Sequence, residues 1–130
     1  MRAVKRNLNV ETMIGMALFF VLIWSCKSEV VARHEGLASY YADKFQNQKT
    51  ASGELYDTSK YTAAHRDWPF GLEVRVIRKD DGRSVVVKVN DRGPFNDTRI
   101  IDLSKAAAKD LGMLHEGILE VTLEVLNREE

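Results

Sequence analysis

LEVRVIRKDDGRSVVVKVNDRGPF, residues 72–95, decides the fold of this 130-residue chain. Apolar residues recur at every second position on each side of Asp81-Gly82, at 72, 74 and 76 and again at 85, 87 and 89. A period of two indicates a strand with one buried face. An Asp-Gly pair between two such strands favours a tight turn. The stretch therefore predicts a β-hairpin.

The hairpin ends on an ionisable residue, Asp91. Continued alternation places its side chain on the inner face, with the valines at 85, 87 and 89, provided that the strand stays extended. In one interpretation, the carboxylate accepts hydrogen bonds from the turn Arg92-Gly93-Pro94. In the other, partial burial against the valines makes Asp91 a general acid. Arg92 would favour the ionised form, so whether Arg92 faces Asp91 decides how acidic the site is.

Further strands flank the hairpin. Residues 36–42 alternate and are rich in aromatics, and residues 99–103 form a short apolar run. In the last predicted strand, residues 118–126, the apolar residues at 119, 121, 123 and 125 are expected to face inward and Glu120, Thr122 and Glu124 outward. Many short strands with one short helix indicate a small closed or nearly closed β-barrel.

The segments between these strands are a helix, a loop and a tether. Ser104 is predicted to cap a helix over residues 105–111, which Gly112 ends. Residues 43–60 are expected to form a long loop with a functional purpose. Residues 27–35 are interpreted as a polar tether, so the domain is predicted to span residues 36–127.

The composition excludes some classes of function. Lys and Arg total 19, as do Asp and Glu, so no overall field recruits nucleic acid or an anionic surface. Without the N-terminal segment about a hundred residues remain, enough for one core but not two. We expect a single domain, acting as a monomer through a local site.

The first 26 residues are interpreted as a signal segment. Arg2, Lys5 and Arg6 precede an apolar run from Met13 to Trp24, as in the basic and hydrophobic regions of an export signal. The run is shorter than the roughly 20 residues that span a bilayer as a helix. A tilted or extended uncleaved anchor is the alternative.

Cys26 is the only cysteine, and it follows this run directly. It forms no internal disulfide, so its thiol is free, intermolecular or modified. Its position resembles the bacterial lipobox, in which the cysteine is lipidated and becomes the mature N-terminus. An incidental cysteine is the alternative. A lipid would anchor the protein in the bacterial cell envelope, and Lys27 after it favours the outer membrane, on its periplasmic face.

Candidate chemistry outside Asp91 is sparse. His34 and His115 are interpreted as solvated, whereas His65 lies among small, aromatic and polar residues. No convergent ligands suggest a metal site. Ser52 could join His65 and Asp91 in a triad, but no nucleophile-elbow motif accompanies it. No cofactor is predicted.

Six motifs in series resemble the rare lipoprotein A family of bacterial septal lytic transglycosylases. They are GLASYY at 36–41, TASGE at 50–54, TAAH at 62–65, PFG at 69–71, VNDRGPF at 89–95, and RIIDLS at 99–104 with AAA at 106–108. In the family's order, they cover nearly all of residues 36–126.

The resemblance implies a mainly β fold, a six-stranded double-psi β-barrel with one or two short helices, as in the N-terminal domain of plant expansins. It implies a peptidoglycan substrate, with a preference for glycan strands stripped of stem peptides. Asp91 matches the family's catalytic aspartate and His65 its accompanying histidine. Thr50, Ser52 and Glu54 match the loop that lines the cleft. The C-terminal glycan-binding repeat domain of many members is expected to be absent, which puts septal targeting in doubt.

A lytic transglycosylase needs one acid–base group because it activates no water. The group protonates the glycosidic oxygen and then takes the proton of the C6 hydroxyl that attacks C1. A hydrolase normally needs two flanking carboxyl groups. Asp91 is well placed, with Glu54 and Asp102 as candidate second acids, so a 1,6-anhydromuramoyl product is favoured. A neutral His65 would hydrogen-bond Asp91 or the sugar.

Several other residues are candidates for contacts with the glycan. Arg92 adjoins the acid, and Tyr40, Trp68 and Phe95 could stack on sugar rings, although aromatic residues in a small barrel more often belong to the core. Two alternative functions stay open. One is a non-catalytic, expansin-like module that binds peptidoglycan, and the other is a structural lipoprotein that bridges envelope components.

Overall fold

Residues 28–96 and 98–127 are described by the computed structural model of the chain. The elements are β1 (Glu29–Tyr40), a 3-10 turn (Asp43–Phe45), β2 (Thr62–Ala64), β3 (Glu73–Arg78), β4 (Ser84–Asp91), β5 (Arg99–Leu103), α1 (Lys105–Asp110) and β6 (Leu119–Asn127). Residues 30–127 form one compact unit. The described residues Ser28 and Glu29 fall outside this unit.

The strands close into a barrel in the order β1-β5-β2-β4-β3-β6. β1 pairs with β5 and β2 with β4 in parallel, whereas β2–β5, β3–β4 and β3–β6 are antiparallel. Small and branched side chains fill the interior, among them Ala38, Ala63, Val74, Val76, Val87, Val89, Ile101, Leu103, Val121 and Leu123. The predicted closed β-barrel is confirmed.

The central hairpin follows the predicted alternation. Val74 pairs with Val87 and Val76 with Val85 across β3 and β4, and all four side chains are buried. In the turn, Gly82 has a φ of 79°, a conformation that glycine adopts without steric cost. The Asp-Gly turn is therefore where the sequence placed it.

The alternation breaks at the end of β4, beside β2. Ala63 pairs with Val89 but Ala64 pairs with Asp91, so Asn90 is an extra residue in this ladder. Such a bulge re-aims the side chains that follow it. Asn90 is consequently buried, at 2% exposure, although alternation predicted that it lies opposite the valine face.

α1 begins as predicted. The Ser104 hydroxyl accepts a hydrogen bond from the backbone N–H of Ala107 at 3.3 Å, which satisfies a free donor of the first turn. Ala107 and Ala108 are fully buried, so the helix lies close to the sheet. It ends at Asp110 rather than at residue 111.

β1 begins at Glu29, so the prediction of a tether over residues 27–35 was wrong where the structure describes a strand. The polar residues of this segment suggested a loop. One of them, Arg33, donates from Nε to the Glu124 carboxylate of β6 at 2.8 Å. Polar side chains can occur in a strand when another strand supplies their partners. The sequence alone does not show that Glu124 is the partner of Arg33.

The prediction that Glu124 faces outward was also wrong, because the residue is only 7% exposed. It accepts hydrogen bonds from Arg33 Nε and, at 3.2 Å, from an Arg75 guanidinium nitrogen. Carboxylates are buried when they are paired in this way. The pKa of Glu124 is lowered, chiefly by the bond from Arg33 and further by Arg75, while burial opposes the shift.

Replacement of Glu124 should change how stability depends on pH. Because its folded-state pKa is depressed, its contribution is present above its ordinary value of 4.5 and is lost as the pH falls through the lower folded value. Glu124→Gln should therefore lower the urea midpoint at pH 7 and flatten its decline on acidification. Exposed Glu120→Gln serves as the control. Equal pH dependence in the wild type and Glu124→Gln would contradict this account.

The predicted signal segment of residues 1–26 and its Cys26 lie outside the described residues. Within residues 28–96 and 98–127, no helix has the length and hydrophobicity of a membrane span.

Candidate functional site

An open cavity of about 1000 Å³ lies where β1 and β4 end, beside β5. Its lining comprises residues 40–42, 44–45, 48–51, 56, 91–96, 99 and 102. The predicted long loop and the turn after the hairpin thus border the same space. Of the residues predicted from sequence to contribute to the site, six line it: Tyr40, Thr50, Asp91, Arg92, Phe95 and Asp102. His65 is not part of the lining.

Asp91 presents its carboxylate to this cavity with different partners on its two oxygens. Oδ1 accepts hydrogen bonds from the backbone N–H groups of Ala51 at 2.8 Å and Arg92 at 2.9 Å. Oδ2 accepts a bond from the Tyr41 hydroxyl at 2.5 Å. The expected bond from the turn is therefore present, but it uses one oxygen only. The other oxygen, Oδ2, is bonded to the Tyr41 side chain.

Tyr41 was not singled out by the sequence, which directed attention to its neighbour Tyr40. Its ring contacts Tyr56 edge-on, with centroids 4.6 Å apart, and lies 5.8 Å from Phe45. Burial, and then the hydrogen bond to Asp91, raise the pKa of Tyr41 above its ordinary value. Tyr41 therefore remains a phenol at neutral pH, and its hydroxyl can donate or accept.

The Arg92 guanidinium is directed away from the carboxylate. It donates to the carbonyl oxygens of Trp68 at 2.9 Å and His65 at 3.3 Å, and it lies 4.0 Å from the centroid of the Phe70 ring. No ion pair joins Arg92 to Asp91 within the part of the chain that the structure describes. Arg92 therefore does not face the Asp91 carboxylate, and its side chain instead stabilises the segment between β2 and β3.

His65 follows β2, and its backbone N–H donates to the Asp91 carbonyl at 3.1 Å. Its Nδ1 accepts from the backbone N–H groups of Asp67 and Trp68, both at 3.1 Å, and its ring stacks on Trp68 at 3.8 Å. Burial lowers the pKa of His65, so the imidazole is neutral at pH 7 with its proton on Nε2. Nε2 has no hydrogen-bond partner among the residues described.

The TASGE loop, residues 50–54, is fixed against the end of β4. The Thr50 hydroxyl donates to the Glu54 carbonyl at 2.7 Å and lies 2.9 Å from the Ser52 hydroxyl oxygen. The Ser52 N–H donates to the Asn90 carbonyl at 3.1 Å. Ser52 and Glu54 are not part of the cavity lining. The Ser52 hydroxyl makes no bond to His65, so the structure does not form the triad considered from sequence.

A second carboxylate, that of Asp102, lines the same cavity. It accepts a short hydrogen bond from the Ser39 hydroxyl and pairs with Arg99 at 3.4 Å. Arg99 also donates to the Ser39 oxygen at 2.6 Å. Asp102 is thus already paired with a cation, whereas Asp91 has only neutral partners.

The three candidate stacking residues differ in position. Phe95 lines the cavity and is 87% exposed. Tyr40 also lines it, and its hydroxyl donates to the Leu114 carbonyl at 2.8 Å. Trp68 packs between the core, the His65 ring and the edge of the His34 ring, 5.3 Å away. Phe95 therefore has the geometry of a stacking surface, while Trp68 belongs to the packing behind β2.

Arg66 fixes the lip of the cavity that carries Phe95. Its guanidinium donates to the carbonyl oxygens of Pro94 at 2.8 Å and Arg99 at 2.6 Å, and also to that of Asn96. In the same turn, Gly93 has a φ of 130°, which disfavours any residue with a Cβ. The sequence offered no signal for Arg66, because carbonyl partners are not visible in it.

Within residues 28–96 and 98–127, no group of three or more His, Cys, Asp or Glu side chains could hold a metal ion. The side chains that line the cavity and could take part in chemistry or binding are two carboxylates, three phenols, four cationic side chains and exposed aromatic surface.

The sequence of this chain is similar to those of known peptidoglycan-cleaving proteins. A family model described as lytic transglycolase matches residues 33–123. The endolytic peptidoglycan transglycosylase RlpA of Haemophilus influenzae is 50% identical over 93 residues, covering 72% of this chain and 32% of that protein. The probable enzyme of the same name in Treponema pallidum is 52% identical over 110 residues, covering 85% and 34%. The chain thus spans about a third of these relatives' length.

Solved structures show the fold. The Streptomyces papain inhibitor superposes with a TM-score of 0.61 at 26% identity, covering 78% of this chain and 100% of that one. An expansin of Clavibacter michiganensis superposes with a TM-score of 0.60 at 19% identity, covering 76% and 52%. Both are double-psi β-barrels, so the predicted fold is confirmed.

Proposed function

Because the chain belongs to the lytic transglycolase family, we propose that it cleaves the glycan strands of peptidoglycan as a lytic transglycosylase, with Asp91 as the single acid–base group. Strands without stem peptides are the proposed preferred substrate. The names of its relatives, endolytic peptidoglycan transglycosylases, support the substrate and the reaction.

The observation that carries the proposal is the position of the Asp91 carboxylate. It reaches an open cavity at the upper end of the roughly 300–1000 Å³ typical of ligand pockets, large enough for more than one sugar ring. Its Oδ1 is occupied by two backbone N–H groups, which leaves Oδ2 as the oxygen that carries the transferred proton. No cation is paired with it among the residues described.

The reaction follows from this geometry. Asp91 gives the proton on Oδ2 to the glycosidic oxygen as the bond from that oxygen to C1 of the muramoyl sugar breaks. The C6 hydroxyl of the same sugar then attacks C1, and Asp91 takes its proton. The carboxyl group regains its starting form, and the product carries a 1,6-anhydro ring. No water is consumed, so no second carboxylate is required.

Tyr41 is the proposed partner of this proton. Since the Tyr41 hydroxyl donates to Oδ2 of Asp91 at 2.5 Å, it is placed to stabilise the carboxylate that the first proton transfer produces. Rotation of the hydroxyl lets it accept from Asp91 Oδ2 at the steps in which that oxygen carries the transferred proton. A phenol whose own pKa is raised by burial performs both tasks without losing its proton.

His65 and the remaining candidates are proposed to position the glycan. The His65 backbone N–H holds the end of β4. Its Nε2–H is proposed to donate to a sugar that extends beyond the cavity lining, to which His65 does not belong. Thr50, Ser52 and Glu54 would shape the loop above the acid. Tyr40, Arg92 and Phe95 would form the walls, with Phe95 stacking on a sugar ring.

We also propose a location that suits this substrate. An export signal over residues 1–26 and a lipid on Cys26 would hold the domain at the periplasmic face of the outer membrane, next to the cell wall. The domain would act there as a monomer, without a cofactor.

One observation favours a second candidate function, an expansin-like module that binds peptidoglycan without cutting it. The Asp91 carboxylate accepts three hydrogen bonds in this structure, an arrangement that also suits an ionised group receiving sugar hydroxyls. Only the enzyme releases products from the glycan, so one assay separates the two candidates.

Asp91→Asn should abolish release of anhydro sugars from glycan strands stripped of stem peptides. The amide keeps the shape of the side chain, and its oxygen can accept the same backbone bonds, but it cannot transfer a proton. The rate should fall by at least about 100-fold. Mass spectrometry of soluble products measures the effect, since an anhydro end is lighter than a hydrolysed end by one water.

Asp102→Asn tests the same chemistry with the second carboxylate. Ends that carry an extra water, lost in both variants, would indicate a two-carboxylate hydrolase and contradict the proposal. Glycan that pellets with the wild-type protein without release of any product would select the binding module instead.

Tyr41→Phe should lower kcat by about 10- to 100-fold and leave KM nearly unchanged. A hydrogen bond to a charged group is worth ~1.5–3 kcal/mol, and each ~1.4 kcal/mol corresponds to a factor of ten in rate. Tyr61→Phe is the matched control, because its hydroxyl donates to the Asp110 carboxylate at 2.7 Å outside the cavity lining. A larger effect on KM than on kcat would assign Tyr41 to substrate binding instead.

A further inference from the structure

The cavity is positively charged although the chain as a whole is neutral. Lys plus Arg and Asp plus Glu are equal at 19 each over the sequence. The cavity lining, in contrast, contains four cations, Lys44, Lys49, Arg92 and Arg99, and two carboxylates, a difference of two positive charges. A wall of one sign raises the local concentration of ligands of the opposite sign. The cavity is therefore suited to an anionic ligand.

The two arginines do not account for this preference. Arg99 pairs with Asp102 and also contacts the Ser39 oxygen. Arg92 donates to two backbone carbonyl oxygens and lies over the Phe70 ring. Both guanidinium groups therefore have partners inside the protein, and their role in the cavity is largely structural.

The two lysines are different. Lys44 Nζ lies 5.3 Å from the Phe45 ring, and neither Lys44 nor Lys49 forms an ion pair within the described chain. The acid next to Lys44 in sequence, Asp43, is already taken, because both its oxygens accept from Lys105 at 2.9 and 2.8 Å. Two exposed ammonium groups thus remain without a counter-ion on one wall.

The backbone that carries these lysines is well ordered by local bonds. Lys44 lies in the 3-10 turn, and Lys49 pairs with Leu55 in an isolated antiparallel bridge. The segment from 44 to 51 continues to Ala51, whose N–H binds the Asp91 carboxylate. Both lysines therefore belong to an ordered backbone segment that also positions the proposed acid.

We propose that Lys44 and Lys49 form a subsite for the free carboxylate of an acidic sugar in the bound glycan. This inference rests on the proposed function for the identity of the glycan. In peptidoglycan, the group of the right chemistry is the lactyl carboxylate on C3 of the muramoyl sugar, the sugar whose C1 is attacked. Neutral glycans have no such group.

The subsite gives a physical reason for a preference for stripped strands. In a strand with stem peptides, the lactyl carboxyl group is an amide and carries no charge. Hydrolysis of that amide releases a carboxylate close to the sugar ring, where two ammonium groups can pair with it. The reaction class that must supply this substrate is therefore amide hydrolysis at the lactyl group.

The test compares two glycans that differ only in charge. One is stripped glycan, and the other is the same material with its carboxylates reduced to alcohols. Binding is measured by titration with the full-length chain carrying Asp91→Asn, so that no bond is cut. The Lys44→Gln, Lys49→Gln double variant is compared with a control, Lys60→Gln with Lys88→Gln, which removes two exposed lysines outside the cavity lining.

The double variant should bind the stripped glycan about tenfold more weakly, since each exposed ion pair contributes a modest factor to affinity and two are lost. The difference should shrink at high salt. It should vanish for the reduced glycan, and the control should bind like its parent. An equal loss on both glycans, or no loss on either, would overturn the subsite. Lysine-dependent binding in a protein that releases no anhydro sugar would instead keep the subsite and refute the proposed reaction.

Discussion

The site depends on one structural constraint: the end of β4 is fixed in position by its contacts with the rest of the barrel. The bulge at Asn90 re-aims the strand, and the backbone N–H groups of Ala51 and Arg92 then fix one oxygen of Asp91. Those two donors come from different segments, the TASGE loop and the turn after the hairpin. Packing of the loop on β4, through the bond from Ser52 to Asn90, is therefore a condition for the orientation of the carboxylate. The other oxygen is left to Tyr41 and to the cavity.

The arginines near Asp91 are bound to other groups and do not pair with its carboxylate. Arg92, the adjacent cation, is held by carbonyl oxygens and by Phe70, and Arg99 is held by Asp102. The proposed acid thus keeps neutral partners inside a positively charged wall. This division allows the proposed enzyme to attract an anionic strand through its lysines while the proton of its acid is governed by a phenol.

The sequence predicted the features that arise from local pattern. Strand alternation, the Asp-Gly turn and the cap by Ser104 act over a few residues, so they are legible in one chain. Features that depend on distant partners were missed. Arg33, in the segment predicted to be a tether, lies in β1 and pairs with Glu124 of β6. Tyr41 donates to Asp91, which is fifty positions away in the sequence. Asp91 and Arg92 are among the predicted site residues that line the cavity. The sequence could not show that the Arg92 side chain points away from Asp91, because its carbonyl partners lie in another segment.

The most direct test of the central claim is a crystal structure of the Asp91→Asn chain with a stem-peptide-free glycan longer than one disaccharide. The account predicts a glycosidic oxygen within hydrogen-bond distance, ~3 Å, of the residue 91 amide, with that sugar lying between the TASGE loop and the Phe95 turn. A glycan bound on another face of the barrel, or one that crosses the cavity with every glycosidic oxygen out of reach of residue 91, would contradict it.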